Sequence, residues 1–352
     1  TGGGCPHILA EPQRTNLIPY SEDFTQWSLI NSTILSGNTI SPDGTVNADR
    51  ITSTSTGDSA FVRNTQSTQT VSTVYSYSCF VKKGTTDFVR LANRSLGNVS
   101  EASCWFDIQN GVVGDVGSNV SSTEIESFGD GWYRCTVIGT TGGTISTQLT
   151  DIAAATSNGN ASATTGDYIY YWGAQLEQGS YPTSLIPTSG STVTRNQDIF
   201  TRDGIGSLIN SQEGVLFIEM AVLSADTINR YISLSNGTDD NSISFHFRNN
   251  ANNQVRVILK SGNVNQFDST YNPSGSTDFV KVAFKYKVND FALWVNGTEI
   301  STDTSGITFT ADTLNRLAFD DGQGGSPLFG KVKQLQVYES ALTDPQLEAL
   351  TK

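Results

Sequence analysis

The sequence predicts an all-β chain of two tandem antiparallel β-sandwiches, closed by one short C-terminal helix. Two observations carry this. Strand-like apolar runs recur at short intervals along the 352 residues, and tight-turn signals such as Asn110-Gly111, Asp130-Gly131 and Asn296-Gly297 separate them. Charged residues make up only 16% of the chain, against roughly a quarter in ordinary globular proteins. Gly, Ser, Thr and Asn take their place, which is the composition of short strands joined by polar turns. The length suffices for two domains, each with its own core.

Residues 1–15 carry Gly2, Gly3, Gly4, Pro6 and Pro12 and read as irregular. Pro42-Asp43-Gly44 is a turn in which Pro presets φ and Gly accepts positive φ. Strands are predicted over Val74–Lys82, Phe88–Ala92, Ala102–Ile108, Trp132–Ile138 and Tyr168–Leu176. In the last of these, simple alternation puts Tyr168, Tyr170, Trp172, Ala174 and Leu176 on the interior face and Tyr171 on the other. Residues 153–166 read as a loop, and residues 187–212 lack hydrophobic periodicity and read as a linker. A first domain therefore spans 16–186 and a second 213–352. In the second, strands are predicted over Val215–Leu223, Arg230–Leu234, Ser242–Arg248, Gln254–Lys260, Val280–Val288, Phe291–Val295 and Phe329–Tyr338. Thr343-Asp-Pro-Gln then opens the helix: Thr343 is the N-cap, Gln346 sits at the capping-box position, and Pro345 is tolerated in the first turn.

Charge and motifs exclude several classes of function. The net charge of −13 gives no support for binding a phosphate backbone and disfavours anionic membranes. No apolar run approaches the roughly 20 residues of a membrane helix, so no membrane insertion is expected. The chain begins at Thr1 rather than Met, so the lack of a visible signal peptide says little. The four cysteines form no C-x-x-C pair, which argues against zinc. Cys79, Cys104 and Cys135 sit in apolar runs and read as buried free thiols, with one disulfide among them as the alternative. Free thiols fit assembly in a reducing cytosol.

Only two histidines are present, His7 in the irregular N-terminus and His246 on an alternating strand. No H-E-x-x-H, G-x-S-x-G or phosphate-loop spacing occurs. The chain is therefore read as non-enzymatic. A two-carboxylate glycosidase using Asp107, Asp115, Asp130 or Glu177 is the less favoured reading.

Candidate binding residues fall in three groups. Trp27, Trp132 and Tyr171 are candidate aromatic platforms for a sugar ring. Alternation sends Val280, Val282, Phe284, Tyr286 and Val288 inward and Lys281, Lys285 and Lys287 outward. His246, Arg248, Arg256 and Lys260 lie on polar faces of other strands. If these strands share a sheet, an acidic protein carries a local basic face suited to acidic glycans or a protein partner; the competing reading is a solvated sheet face. Asp239 and Asp240, followed by Asn241, and Asp320 with Asp321 are oxygen-rich loop clusters and candidate calcium sites, with ordinary turn chemistry as the alternative.

Three segments of the first half carry a family resemblance: Glu11-Pro-Gln-Arg-Thr-Asn-Leu-Ile-Pro-Tyr-Ser-Glu-Asp-Phe, Ser41-Pro-Asp-Gly-Thr, and the run from Trp172-Gly-Ala-Gln-Leu-Glu to Arg195. Together they resemble carbohydrate-binding-module-like jelly rolls of phage tail and fibre proteins and of secreted polysaccharide-degrading enzymes. Phe291-Ala-Leu-Trp-Val-Asn-Gly and the stretch from Phe329 to Thr343 resemble laminin-G-like, concanavalin-A-like sandwiches over residues 214–350. That family often has an acidic residue in the final strand, where this chain has Gln334 and Gln336. The resemblance implies a non-enzymatic surface protein of a bacteriophage virion, a fibre or appendage, that binds host or environmental glycans. Its implied partners are polysaccharides and other virion proteins, its implied assembly is a homo-oligomer of trimeric type, and a calcium ion is common in such modules. The alternative it implies is a pair of accessory carbohydrate-binding modules from a secreted bacterial polysaccharidase or adhesin.

Overall fold

The computed structural model describes residues 7–57, 59–98, 100–224, 228–247, 254–273 and 277–352. These fall into two compact units, Gln13–Asn196 and Gln197–Lys352, the second joined by residues 7–12. No helix among the described residues is long and apolar enough to cross a membrane.

In the first unit, two six-stranded antiparallel sheets sandwich a core that includes Val62, Tyr77, Cys79, Leu91, Phe106, Ile152 and Ile169. One sheet runs, in spatial order, Ser122–Gly129, Trp132–Thr140, Val74–Lys83, Tyr168–Gln178, Val46–Ser53, Ser32–Ile40. The other runs Val112–Val116, Ser103–Asp107, Phe88–Asn93, Thr150–Ala155, Phe61–Asn64, Ser28–Ile30. All five strands predicted for this half are present. The outermost ones, such as Ser122–Gly129 and Ser32–Ile40, are largely exposed and polar, so they lack the apolar signal that pattern reading needs. Residues 153–155, read as loop, belong instead to the central and wholly buried strand Thr150–Ala155. Its three consecutive alanines are weak strand formers that tertiary packing overrides.

Tyr168–Gln178 departs from simple alternation. Its register against Val74–Lys83 shifts between Trp172 and Gln175, and Gly173 sits at φ +60°. Ile169 and Tyr171 therefore enter the main core, and past the irregularity Ala174 and Leu176 enter it again. Trp172 turns to the opposite face, where Ala48, Phe80, Trp132 and the partly buried Leu185 pack around it. The faces assigned to Tyr170, Tyr171 and Trp172 by alternation are thus reversed.

Cys79, Cys104 and Cys135 are buried free thiols in this core, and Cys79 stands directly across from Cys135 on the neighbouring strand; Cys5 lies outside the described residues. Burial pushes all three thiols up, Cys104 to about 12. Since the thiolate is the reactive form, these three should resist a thiol reagent at pH 8 in the native protein. Labelling should then rise by three equivalents in denaturant. Full native labelling would contradict the packing described.

In the second unit, one six-stranded antiparallel sheet runs Ile8–Ala10, Gly330–Tyr338, Glu213–Val222, Val280–Lys287, Phe291–Val295, Thr298–Asp303. The other runs Thr201–Asp203, Arg316–Ala318, Arg230–Ser235, Ser242–Phe247, Val255–Ser261, Val264–Tyr271. Leu216, Ile218, Leu234, Phe245, Val257, Phe284 and Phe291 are among the residues packed between them. Residues 1–15, read as irregular, contain the strand Ile8–Ala10 and the start of Arg14–Asn16, the latter paired with Val193–Arg195. Residues 187–212, read as a bare linker, contain Val193–Arg195, Thr201–Asp203 and a 3-10 turn at Gly206–Leu208. These pieces are too short for a periodic signal.

The predicted helix forms over Asp344–Thr351, with the Gln346 carboxamide accepting the Thr343 backbone N–H at 2.9 Å. It covers the outer face of the first of these sheets, where Leu347 packs with Val215, Phe217, Ala283, Ala292 and Trp294. This second cover explains why Val215–Ile218 reads as an unbroken apolar run: that part of the strand is buried on both sides.

Candidate functional site

The outer face of the second sheet, from Thr201–Asp203 to Val264–Tyr271, holds an open polar cleft of about 530 Å³. Alternation builds it. Ile232, Leu234, Ile243, Phe245, Val257 and Leu259 face the core, so their neighbours form three cross-strand rows on the other side. One row is Tyr231, His246, Arg256; the next is Ser233, Ser244, Ile258, Asp268; the third is Ser235, Ser242, Lys260. Of the four short serines in the middle, Ser244 lines the cleft, while Ser233, Ser235 and Ser242 are wholly buried. The loop through residues 320–325 forms one wall, with Gly322 at φ +93° lying so close that an added Cβ would meet Ser235 Oγ at 3.1 Å. Asp321 and Gln323 line the cleft from this loop, and Asp239, Asn263 and Asn265 line it from other loops and strands.

The groups in the cleft are held in place by one another. The Tyr231 and His246 rings lie 4.1 Å apart between centroids, tilted by 37°, and His246 Nε2 is 2.9 Å from Ser244 Oγ. Asp268 takes the Arg256 guanidinium in two hydrogen bonds, one from Nε at 2.6 Å, and this bond raises the Arg256 pKa above the usual guanidinium value. Lys260 is ion-paired with Asp239. Asp321 Oδ1 accepts the backbone N–H groups of Gln323 and Gly325, both at 3.0 Å. Ser233 Oγ is buried without a hydrogen-bond partner. The result is a preorganised set of hydroxyls, amides and internally paired charges beside a flat aromatic pair. Such a surface suits a polyhydroxylated ligand rather than a lone ion.

The structure brings His246, Arg256, Asp239 and Asp321 together here; the sequence had singled them out for different roles. Arg248 lies outside the described residues. Lys281 and Lys285 belong to the other sheet, so the single basic face expected from alternation does not form. Lys285 is only 8% exposed and pairs with Asp290 at 2.6 Å and Asp344 at 3.8 Å. Lys287 pairs with Glu213 at 2.9 Å, and Lys281 stands across from Glu219. Val288, expected inward, lies past the strand end and is exposed.

The three candidate platforms are core residues: Trp27, Trp132 and Tyr171 are 5%, 2% and 1% exposed. The two indole N–H groups donate to the carbonyls of Tyr20 and Ile40, both at 3.0 Å. Proximity to a turn did not outweigh the burial of so much apolar ring.

The candidate calcium residues Asp239, Asp320 and Asp321 are engaged by groups of the protein itself. Asp240 does not line the cleft, and Asp320 is buried, accepting the Gly322 N–H at 2.7 Å and facing Arg316. Among the described residues no three His, Cys, Asp or Glu side chains gather around a metal position. Sequence reasoning missed Tyr231, the serine rows, Asn263, Asn265 and Gln323. Alternation of Tyr231, Ser233 and Ser235 with Ile232 and Leu234 was the available signal.

With this geometry in view, comparison with known proteins places part of the chain. Residues 216–348 match the Laminin_G_3 family model, the Concanavalin A-like lectin/glucanases superfamily. Among solved structures, the chain is similar to the CBM40 of the Ruminococcus gnavus IT-sialidase bound to alpha2,3 sialyllactose, with 20% identity and a TM-score of 0.36 over 44% of this chain and 98% of that one. It is also similar to domain 4 of an extracellular arabinanase from Geobacillus stearothermophilus in complex with arabinotriose, with 17% identity and a TM-score of 0.34 over 46% of this chain and 73% of that one. A SAP-like pentraxin from Limulus polyphemus matches with 12% identity and a TM-score of 0.32 over 40% of this chain and 70% of that one. No curated protein matches the chain in sequence. The second unit is thus a concanavalin A-like sandwich, and the chain as a whole is all-β.

Proposed function

We propose that the protein is a non-catalytic glycan-binding protein whose second sandwich takes an oligosaccharide in the cleft between Tyr231, His246, Lys260 and Gln323. The observation that carries this reading is the cleft itself: the Tyr231–His246 aromatic pair beside Ser244, walled by amides and paired charges. The match of residues 216–348 to a superfamily that includes lectins supports it. The two carboxylates that line the cleft argue against glycoside hydrolysis, which needs a carboxyl group placed to give up a proton. Asp239 is instead paired with the Lys260 ammonium, and Asp321 accepts two backbone N–H groups.

For the biological setting, we propose a virion surface appendage in which a homo-oligomer, with a trimer as the working model, multiplies shallow sites into avidity. The phage-fibre-like segments of the first half and the unlinked, mutually facing Cys79 and Cys135 support it. An accessory module of a secreted polysaccharidase or adhesin is the other setting, and detection of the chain in purified virions or in culture supernatant separates the two.

The test is calorimetric titration of the full chain with oligosaccharides selected on a glycan array. Tyr231→Ala and His246→Ala should each weaken binding about tenfold or more, as loss of an aromatic contact and its buried area implies. No reducing sugar should be released. Unchanged affinity in both variants would remove the cleft from the account, and turnover would restore the glycosidase reading.

A further inference from the structure

We infer that the first sandwich carries a second, separate site, built around Arg90, for the carboxylate of an acidic sugar. The site lies on the outer face of the sheet that runs from Val112–Val116 to Ser28–Ile30. Trp105, Arg90, Ala153 and Phe61 are successive cross-strand neighbours in one row of this face, and Ala92, Asp151 and Arg63 are neighbours in the next. Ala153, in the middle of the row, is small and wholly buried, and the two aromatic side chains at its ends are half-buried. The Arg90 guanidinium lies 6.0 Å from the Phe61 ring centroid and that of Arg63 lies 4.8 Å from it.

The charges on this face do not balance. Arg63 holds Asp151 through two hydrogen bonds, of 2.6 and 2.9 Å, and Arg94 approaches the same carboxylate at 3.8 Å. One buried acid thus faces three guanidiniums. Arg90 is 5% exposed, yet it has no hydrogen bond or ion pair with any described residue, and its Nε is buried without a partner. The Nε of Arg94 and the indole Nε1 of Trp105 are also buried and unpartnered. Burial pushes the Arg90 pKa below its usual value; the Asp151 carboxylate opposes this, and the neighbouring Arg94 and Arg63 reinforce it.

A buried cation that shares one distant carboxylate with two other guanidiniums and has no hydrogen bond of its own is costly to keep, and this chain, with a net charge of −13, has acids in abundance to pair it. A planar carboxylate supplies the missing acceptors in the two-pronged geometry a guanidinium prefers. Trp105 and Phe61 flank that position with ring surface suited to the apolar side of a pyranose. A sugar bearing a carboxylate satisfies both features at once. This site is independent of the cleft in the second sandwich.

The experiment titrates the full chain with galacturonate, glucuronate and sialyl oligosaccharides and with neutral oligosaccharides of matching linkage. Wild-type protein should bind at least one acidic sugar tenfold or more tightly than its neutral counterpart, and added salt should weaken that binding. Arg90→Met should abolish the preference, Arg90→Lys should restore it only in part, and Trp105→Ala should weaken it independently. Tyr231→Ala should leave it unchanged. The denaturation midpoint of Arg90→Met should match or exceed that of wild type, because an unpartnered buried charge has been removed. Absence of any preference in the wild type, its survival in Arg90→Met, or its loss only in Tyr231→Ala would each overturn the assignment.

Discussion

Tyr171→Ala should destabilise the first sandwich by about 3–5 kcal/mol, the range for truncating a buried aromatic side chain, and leave oligosaccharide binding by the second sandwich unchanged. Tyr171 is almost fully buried, and its ring centroid lies 6.1 Å from that of Phe24 in the main core. Burial pushes its hydroxyl far above the usual phenol range. It reaches this position because the strand is irregular at Gly173, where the left-handed backbone and the contacts a Cβ would make at 3.0 Å with Phe80 and Leu185 both favour glycine. An outward-facing Tyr171, as strict alternation implies, would lose within about 0.5 kcal/mol on truncation. Denaturant unfolding followed by fluorescence decides between these. A loss under 1 kcal/mol would mean the strand runs without its irregularity.

Leu347→Ala should cost the second sandwich about 2–5 kcal/mol. Leu347 is fully buried where the helix Asp344–Thr351 covers Val215, Phe217, Ala283, Ala292 and Trp294. The loss exceeds that of one leucine on a free helix, because the same residue seals the outer face of a sheet whose inner face is already core. A rise in binding of a hydrophobic dye should accompany the lower unfolding midpoint. An unchanged midpoint would show that the helix is not docked. Lys285, pinned by Asp290 and Asp344 beside this helix, is part of the same cover and not a free docking group.

These residues also show what the sequence disclosed and what it withheld. Strands with a strong apolar signal were legible: Phe291–Val295 was predicted to the residue, and Val74–Lys83 to within one. The helix was legible because a capping box is a local chemical pattern. Edge strands were not: Ser122–Gly129 meets water along most of its length and is mostly polar, and Val112–Val116, though it holds three valines, is short and exposed. The irregularity at Gly173 was invisible because one residue out of register reverses every face before it. Sheet membership was the largest gap. Alternation set His246 and Arg256 on an outer face, and set Lys281 and Lys285 on an outer face, but could not say that these faces belong to different sheets. The cleft was half legible for the same reason. Its charged residues stood out individually, whereas Ser244 and Tyr231 acquire meaning only once the strands are laid side by side.

The glycan-binding account rests on where a sugar sits. A heteronuclear NMR titration of the full chain with its best array ligand locates it directly. The account predicts saturable shift changes concentrated at Tyr231, Ser244, His246, Arg256, Lys260 and Asn265 for a neutral oligosaccharide. Changes confined to the first sandwich, or no saturable change with any ligand on the array, would contradict it.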